Sequence, residues 1–216
     1  PLKNIMSKVT DYKVEISTYS AIKPFIQKWH YSHSTKGLHT SYCFGLFREG
    51  KFGMDDMIGA MIYGVPSSME GQRTDKYGNE SGKVLELNRL CCIDDTLKNT
   101  ESYFISRSLA WLRKNTPYQV VVSYADPEYG HSGVIYKATN FIHYDMTGTD
   151  KVLMVDGKKY HRRTLRKDSP YAETIRQRLK DEDPNVYWEK TCEKHIYIYY
   201  LDKRLKRKNV IQRDVA

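Results

Sequence analysis

The residues best equipped for chemistry crowd into one stretch, Ser123-Tyr-Ala-Asp-Pro-Glu-Tyr-Gly-His-Ser-Gly-Val-Ile-Tyr-Lys-Ala-Thr-Asn140. It holds an acid (Asp126), an imidazole (His131) and a phenol (Tyr136), a set suited to proton transfer or to metal binding. The plainer alternative is that Asp126 only caps a turn ahead of Pro127 and that His131 is a solvated surface side chain. Gly130 and Gly133 permit a tight turn and close backbone approach. The run Tyr118 to Ala125 is β-branched, aromatic and uncharged, which predicts a strand covered on both faces. Asp126 would then emerge at the C-terminal end of that strand, where open α/β sheets place their ligands.

The elements that position this stretch are readable from periodicity. Tyr12 to Ser17 alternates like a strand, and Tyr19 to Trp29 carries Ile22, Phe25, Ile26 and Trp29 at helical spacing. Tyr42 to Phe47 and Met57 to Val65 predict a hairpin turning at Arg48 to Lys51, and Lys83 to Ile93 a further strand after a long polar loop, Pro66 to Gly82. Asn99 to Lys114 predicts the main helix, capped by Asn99 or Thr100 and ended by Pro117. A short helix from about Ser132 to Asn140 and a strand from Phe141 to Thr147 follow. Asp156-Gly157 marks a hairpin between Val152 to Val155 and Lys159 to His161; a helix over Pro170 to Leu179 and a strand over His195 to Leu201 complete the order. The predicted fold class is α/β, a mixed and mostly antiparallel central sheet flanked by helices with a basic C-terminal extension, an order that fits the Gcn5-related N-acetyltransferase fold by analogy.

Composition limits the function. The 216 residues carry 35 Lys and Arg against 26 Asp and Glu, with 40% apolar residues and 18 tyrosines. That apolar content excludes intrinsic disorder, and no uncharged apolar run approaches the roughly 20 residues of a membrane span. The N-terminus lacks the apolar core of a signal peptide, so a cytoplasmic protein is expected. Cys43, Cys91, Cys92 and Cys192 show no C-x-x-C spacing and read as reduced, buried small hydrophobes.

The charge is uneven: residues 1–150 balance at +1 and residues 151–216 at +8. The excess concentrates in Lys158, Lys159, Arg162, Arg163, Arg166 and Lys167, and in Lys203, Arg204, Lys206, Arg207 and Lys208. Clusters of this kind mark a polyanion partner, and the interleaved Tyr160, His161, Tyr171, Tyr187 and Trp188 offer faces for stacking on bases. The expected organisation is a catalytic part over 1–150 and a basic part over 151–216, packed on the same domain, that touches double-stranded DNA.

Several motifs agree in order and spacing: Trp29-His-Tyr-Ser32, Glu86-Leu-Asn-Arg-Leu90, Lys98-Asn-Thr-Glu-Ser102, Ser123-Tyr-Ala-Asp126, Gly130-His-Ser-Gly133 and Ile135-Tyr-Lys-Ala-Thr-Asn140. Over about residues 25–145 they resemble the Mom family of bacteriophage DNA-modification proteins. The resemblance implies an acetyltransferase-like fold, conversion of adenine in DNA to an N6-methylcarbamoyl form that protects phage DNA from restriction, and action in the cytoplasm of the infected bacterium. It also implies His30, Tyr31, Arg89, Ser102, Asp126 and Tyr136 as functional positions, and it brings iron into consideration.

On that footing Asp126 is the expected base or the acceptor that orients the amine, and Tyr136 the donor to an oxyanion or leaving group. Arg89 would bind a phosphate, and Ser102 would join the helix amides that hold an anion. His30, Tyr31 and Asp126 together offer nitrogen and oxygen ligands suited to iron. The donor is an acyl or glycyl type of open identity, acetyl-CoA among the candidates. Asp94-Asp-Thr-Leu-Lys98, however, has no glycine and two acids where a pyrophosphate loop would lie, so coenzyme A is not expected to bind there in the usual way. A homodimer is compatible with these features. The rival readings are an N-acyltransferase acting on a protein or small molecule, and a non-catalytic DNA-binding protein of the same fold.

Overall fold

The computed structural model describes residues 8–49, 55–66, 75–160, 162–166 and 168–206. Of the expected features, the core of the loop after Pro66, most of the turn after Glu49, and His161, Lys167, Arg207 and Lys208 lie outside the described residues; Arg162 and Arg163 are described by backbone alone. The chain forms two compact units that interleave in sequence. One comprises Pro1–Tyr124, Gly133–Tyr144 and Ile196–Ala216, the other Ala125–Ser132 and Asp145–His195.

The strands and helices run in the order β1 (Lys13–Ser17), α1 (Tyr19–Trp29), β2 (His39–Glu49), β3 (Asp55–Val65), β4 (Val84–Cys92), α2 (Thr100–Asn115), β5 (Val120–Ala125), α3 (Val134–Ala138), β6 (Ile142–Met146), β7 (Lys151–Val155), β8 (Lys158–Tyr160), α4 (Pro170–Lys180), β9 (Val186–Lys190) and β10 (His195–Tyr200). A seven-stranded sheet, carried almost wholly by the first unit, has the order β1-β2-β3-β4-β5-β10-β6. Strands β1 to β4 pair antiparallel with their neighbours, and β5 joins β4 in parallel. This is the expected mixed, mostly antiparallel sheet flanked by helices.

Side-chain alternation assigns the helices to opposite faces of this sheet. Ile62 packs with Ile22 and Ile26 of α1, both fully buried, along with Cys43 and Ala60. Its neighbours Met61 and Tyr63 turn the other way, where the Tyr63 hydroxyl lies 2.8 Å from Ser108 Oγ of α2. Ile22 and Ile26 sit one helical turn apart, and burying each contributes roughly 1.5–3 kcal/mol, enough to fix which face α1 presents. Asn99 occupies the N-cap position of α2 in a left-handed conformation, φ +69°, with no side-chain capping bond.

The second unit is a three-stranded antiparallel sheet, β8-β7-β9, backed by α4. Leu153, Val155, Ile175 and Val186 form its core. Asp156 and Gly157 both take positive φ, +51° and +75°, as a tight hairpin requires. Arg178 of α4 holds this turn, bonding both Asp156 oxygens at 2.6 and 2.9 Å and Asp183 at 2.7 Å. Strand β9 has no counterpart in the expected elements. Its last four residues are exposed and alternate neither in charge nor in hydropathy, so pairing with β7 rather than local pattern makes it a strand. All four cysteines are free, but only Cys43 is buried; Cys91 and Cys92 are half-buried and Cys192 is exposed, correcting the expectation for the last. The two units do not follow the charge divide at residue 150, since 158–167 falls in the second and 203–206 in the first.

Candidate active site

Strands β4 and β5 pair only at Val84 with Val120, Leu85 with Val121 and Glu86 with Val122. Where the ladder stops, the Ser123 hydroxyl lies 3.2 Å from the Leu87 carbonyl and 2.9 Å from the Tyr136 hydroxyl. Ser123 has one proton and donates to one of these at a time. When it points at Leu87, Tyr136 can donate to it; when it points at Tyr136, it can steady a phenolate. Tyr136 is 9% exposed and packs between Phe141 and Tyr197 at ring distances of 5.4 and 5.3 Å. Burial pushes its phenol up to about 12, against the lowering effect of the Ser123 hydrogen bond and with Tyr31, Glu86 and Tyr197 adding to the rise. The group is therefore a protonated donor at neutral pH and a poor base.

Gly133 makes this packing possible. It caps α3 with φ +77°, and any Cβ there would collide with the Tyr197 ring. The Tyr136 carbonyl in turn accepts the amides of Thr139 and Phe141, which fixes the turn out of α3.

A β-bulge sets the side of the sheet that Arg89 takes. Tyr63 pairs with Leu87 and Ile62 with Arg89, leaving Asn88 as the extra residue. Residues opposite each other on antiparallel strands project to one side, so Glu86 (opposite Gly64) and Arg89 (opposite Ile62) share the α1 face. Without the bulge Arg89 would have pointed to the α2 side. Arg89 Nε donates to the Ser34 carbonyl at 3.1 Å and Nη1 to its neighbour's at 2.6 Å. Burial lowers the guanidinium from its ordinary value, opposed by Tyr31 and Glu86. Tyr31 and Glu86 of the first unit act electrostatically on both Arg89 and Tyr136. Glu86 and Ser123 were not singled out by residue type; the signal for Glu86 is the bulge, invisible without the register.

His30 is the C-cap of α1, 4% exposed, with its ring 4.2 Å from that of Tyr31. Its Nδ1 accepts the Ser32 amide at 3.1 Å and lies 2.8 Å from Ser32 Oγ, so a neutral ring carries its proton on Nε2. Tyr31 is 46% exposed. Ser102 stands in the first turn of α2, as expected. The loop before it is closed on itself: the amides of Thr96, Leu97 and Thr100 go to the Asp94 carbonyl, the Tyr12 hydroxyl and the Leu97 carbonyl. Asp95 is paired with Arg48 at 3.0 Å.

Asp126 belongs to the second unit, where it is 6% exposed. Its Oδ1 accepts the Glu128 amide, capping the turn Pro127–Tyr129, and its Oδ2 lies 2.8 Å from Lys194 Nζ. The expected iron set does not fit this arrangement. His30 Nδ1 is engaged by Ser32 and the Asp126 carboxylate by Lys194 and Glu128, and among the described residues no three His, Cys, Asp or Glu side chains converge as metal ligands.

Of the basic side chains, Lys158, Arg166, Lys203 and Lys206 are exposed, whereas Lys159 pairs with Glu128 and Arg204 with Asp202. Tyr129, Tyr171, Tyr187 and Trp188 of the second unit are 40–49% exposed. Among the described residues no helix is long and apolar enough to cross a membrane.

The model of the Mom protein family matches residues 11–214. The chain belongs to the Mom protein family. The match extends well past the 25–145 stretch that carried the resemblance and takes in the second unit and most of the basic C-terminal part. Methylcarbamoylase mom of Escherichia phage Mu is 30% identical over 158 residues, which cover 72% of this chain. The chain spans 62% of the length of that curated relative. Among solved structures, spermidine/spermine N-acetyltransferase SpeG from Vibrio cholerae is similar at a TM-score of 0.48 and 9% identity, covering 92% of this chain and 98% of that one. Arabidopsis thaliana NAA60 in complex with acetyl-CoA is similar at 0.48 and 8%, covering 88% and 98%. At that level of similarity neither lends its ligands to this member of the Mom family.

Proposed function

We propose that this chain is a DNA-modifying transferase that places a methylcarbamoyl-type group on N6 of adenine, in phage DNA within the host cytoplasm, and so shields that DNA from restriction. Membership of the Mom family over residues 11–214 carries the reading, and the Ser123–Tyr136 pair gives it a mechanism. Adenine N6 is a poor nucleophile because its lone pair is delocalised into the ring, so the base must leave the stack and the donor carbonyl must be activated. Tyr136, protonated at neutral pH, donates to the developing oxyanion or the leaving group. The proton that N6 gives up as it attacks returns to the Tyr136 phenolate, and until then Ser123 turns its own proton from Leu87 to that oxygen, sparing a buried charge the full cost of isolation.

Tyr31, exposed and backed by the His30 ring, suits the flipped base as a stacking surface. In the first unit Arg89 binds a phosphate of donor or DNA and Ser102 contributes at the start of α2; for Asp126 the Ser123-Tyr-Ala-Asp126 motif alone supports a role as acceptor of a hydrogen bond from the amine. The donor carries an acyl or glycyl carbonyl, held otherwise than by a pyrophosphate loop at Asp94–Lys98; acetyl-CoA would supply the acyl carbons and leave the nitrogen of the methylcarbamoyl group to a second, amine-type donor. The exposed lysines and aromatics of the C-terminal third hold double-stranded DNA, which makes affinity fall steeply with salt.

Expression in bacteria followed by mass spectrometry of nucleosides from plasmid DNA tests the reading. A modified deoxyadenosine is expected, reduced about 10²–10⁴-fold by Tyr136→Phe with DNA affinity unchanged. Unmodified nucleosides beside tight DNA binding would favour the non-catalytic rival, and an acylated protein or small molecule the other.

A further inference from the structure

A cavity of about 280 Å³ in the first unit is lined by Arg113 from α2, Asn140, Tyr199 from β10, and Lys203 and Lys206 from the turn that follows. It brings three cations together and no carboxylate lines it. Several basic side chains of the chain are neutralised close at hand: Lys159 on Glu128, Arg178 on Asp156 and Asp183, Lys194 on Asp126, Arg204 on Asp202. Among the described residues Arg113, Lys203 and Lys206 have no such partner. A concave surface of one sign focuses its field on whatever anion enters.

Arg113 is held in place, and the turn that carries the two lysines is anchored. Arg113 Nε donates to the Leu201 carbonyl at 3.2 Å and Nη2 to the Tyr199 hydroxyl, while its guanidinium carbon lies 5.7 Å from the centre of the Tyr199 ring. These partners are neutral, so they fix the fork without cancelling its charge, and Nη1 is left without a hydrogen bond among the described residues. Lys203 and Lys206, three apart in a helical turn, project to one side. Leu205 anchors that turn on the core, and Asp202 caps it by accepting the Arg204 amide at 2.9 Å. Asn140 sits at φ +64° and adds a side-chain amide to the lining.

Three converging cations, an amide donor and a phenol suit a compact oxyanion with several acceptor oxygens, which is the chemistry of a phosphate group. Ring contacts connect the cavity to Tyr136: Tyr199 lies 5.3 Å from Phe141, and Phe141 lies 5.4 Å from Tyr136. We propose that Arg113, Asn140, Lys203 and Lys206 form a phosphate site that grips the backbone of the DNA strand presenting its base to Tyr136. The source of the phosphate rests on the DNA-modifying reading; the anion site itself does not.

The test uses the full chain, inorganic phosphate and a 20-base-pair duplex as probes, and the double variant Lys203→Gln/Lys206→Gln, whose exposed side chains hold nothing in the fold. Inorganic phosphate is expected to shift the Asn140 side-chain amide resonances in the parent and not in the variant. The variant should bind duplex about tenfold more weakly at moderate salt, with the slope of log affinity against log salt reduced by about 1–2, near 0.9 for each phosphate that is no longer neutralised. Arg113→Lys, which keeps the charge and loses the fork, should weaken phosphate binding without lowering that slope as far. Phosphate shifts that vanish in the variant while the slope stays put would overturn the DNA backbone as the source and leave a site for a small phosphate-bearing molecule. Resonances unmoved by phosphate in the parent would overturn the site altogether. A parent that modifies no nucleoside yet shows both the shift and the slope change would refute the proposed reaction and leave this site standing.

Discussion

Replacing Gly133 with Ala gives the sharpest check on how Tyr136 is held. The residue has φ +77°, where an L-amino acid pays about 1–2 kcal/mol for its Cβ. That Cβ would also lie far inside 3.0 Å of Cε2, Cζ and the hydroxyl of Tyr197. Tyr197 is 1% exposed and cannot swing into solvent, so relieving the overlap costs a further ~1–3 kcal/mol of overpacking. Gly130 is the natural control: it has φ +74°, and nothing lies within 4 Å of a Cβ built there. Urea denaturation should therefore place Gly133→Ala about 2–5 kcal/mol below the parent and Gly130→Ala only about 1–2 kcal/mol below it. Because Tyr197 stacks on Tyr136, the first variant should also lose most of its deoxyadenosine modification and the second should not. Equal destabilisation by the two would refute the reasoning, since it would mean that the Tyr197 ring does not constrain this turn.

Asp126→Asn should lower stability by about 1–2 kcal/mol, a modest figure because Lys194 is half-exposed, and should abolish modification while leaving duplex affinity near that of the parent; collapse of binding as well would return Asp126 to a structural role. Arg178→Ala should lower the melting temperature by freeing Asp156 and Asp183, yet leave the salt slope of DNA binding unmoved, and a shallower slope would mean that this arginine reaches DNA after all. Alkali should destabilise the fold: Tyr136 goes from 10.0 to about 12 and Cys43 from 9.0 to about 11, so each holds its proton more tightly when folded. The Tyr136 contribution is complete below pH 10 and is lost as pH rises through 12, about 2–3 kcal/mol in all; Tyr136→Phe should flatten that part of the stability profile, and an unchanged profile would contradict the burial argument.

Local pattern was enough for much of this protein. The apolar spacing of Ile22 and Ile26, the uncharged run before Ala125, Pro117 after α2 and the Asp156-Gly157 pair each act within a few residues, and the elements they predict are present. The motifs around Tyr31, Arg89 and Tyr136 were legible for the same reason, because they are short and contiguous. Strand β9 was not legible, since its pairing with β7 rather than its own residues makes it a strand. Nor was the exposure of Cys192, which a residue type alone cannot give.

The sequence by itself determined the family, the α/β order of elements and the concentration of positive charge in the last third, all of which depend on residue identity and near-neighbour spacing. Tertiary structure alone decided which of those charges are neutralised and how Ser123 meets Tyr136 across thirteen positions. It also set the side of the sheet that Arg89 and Glu86 share. One extra residue at Asn88 reverses a strand's two-residue alternation, and only the pairing of β3 with β4 reveals it.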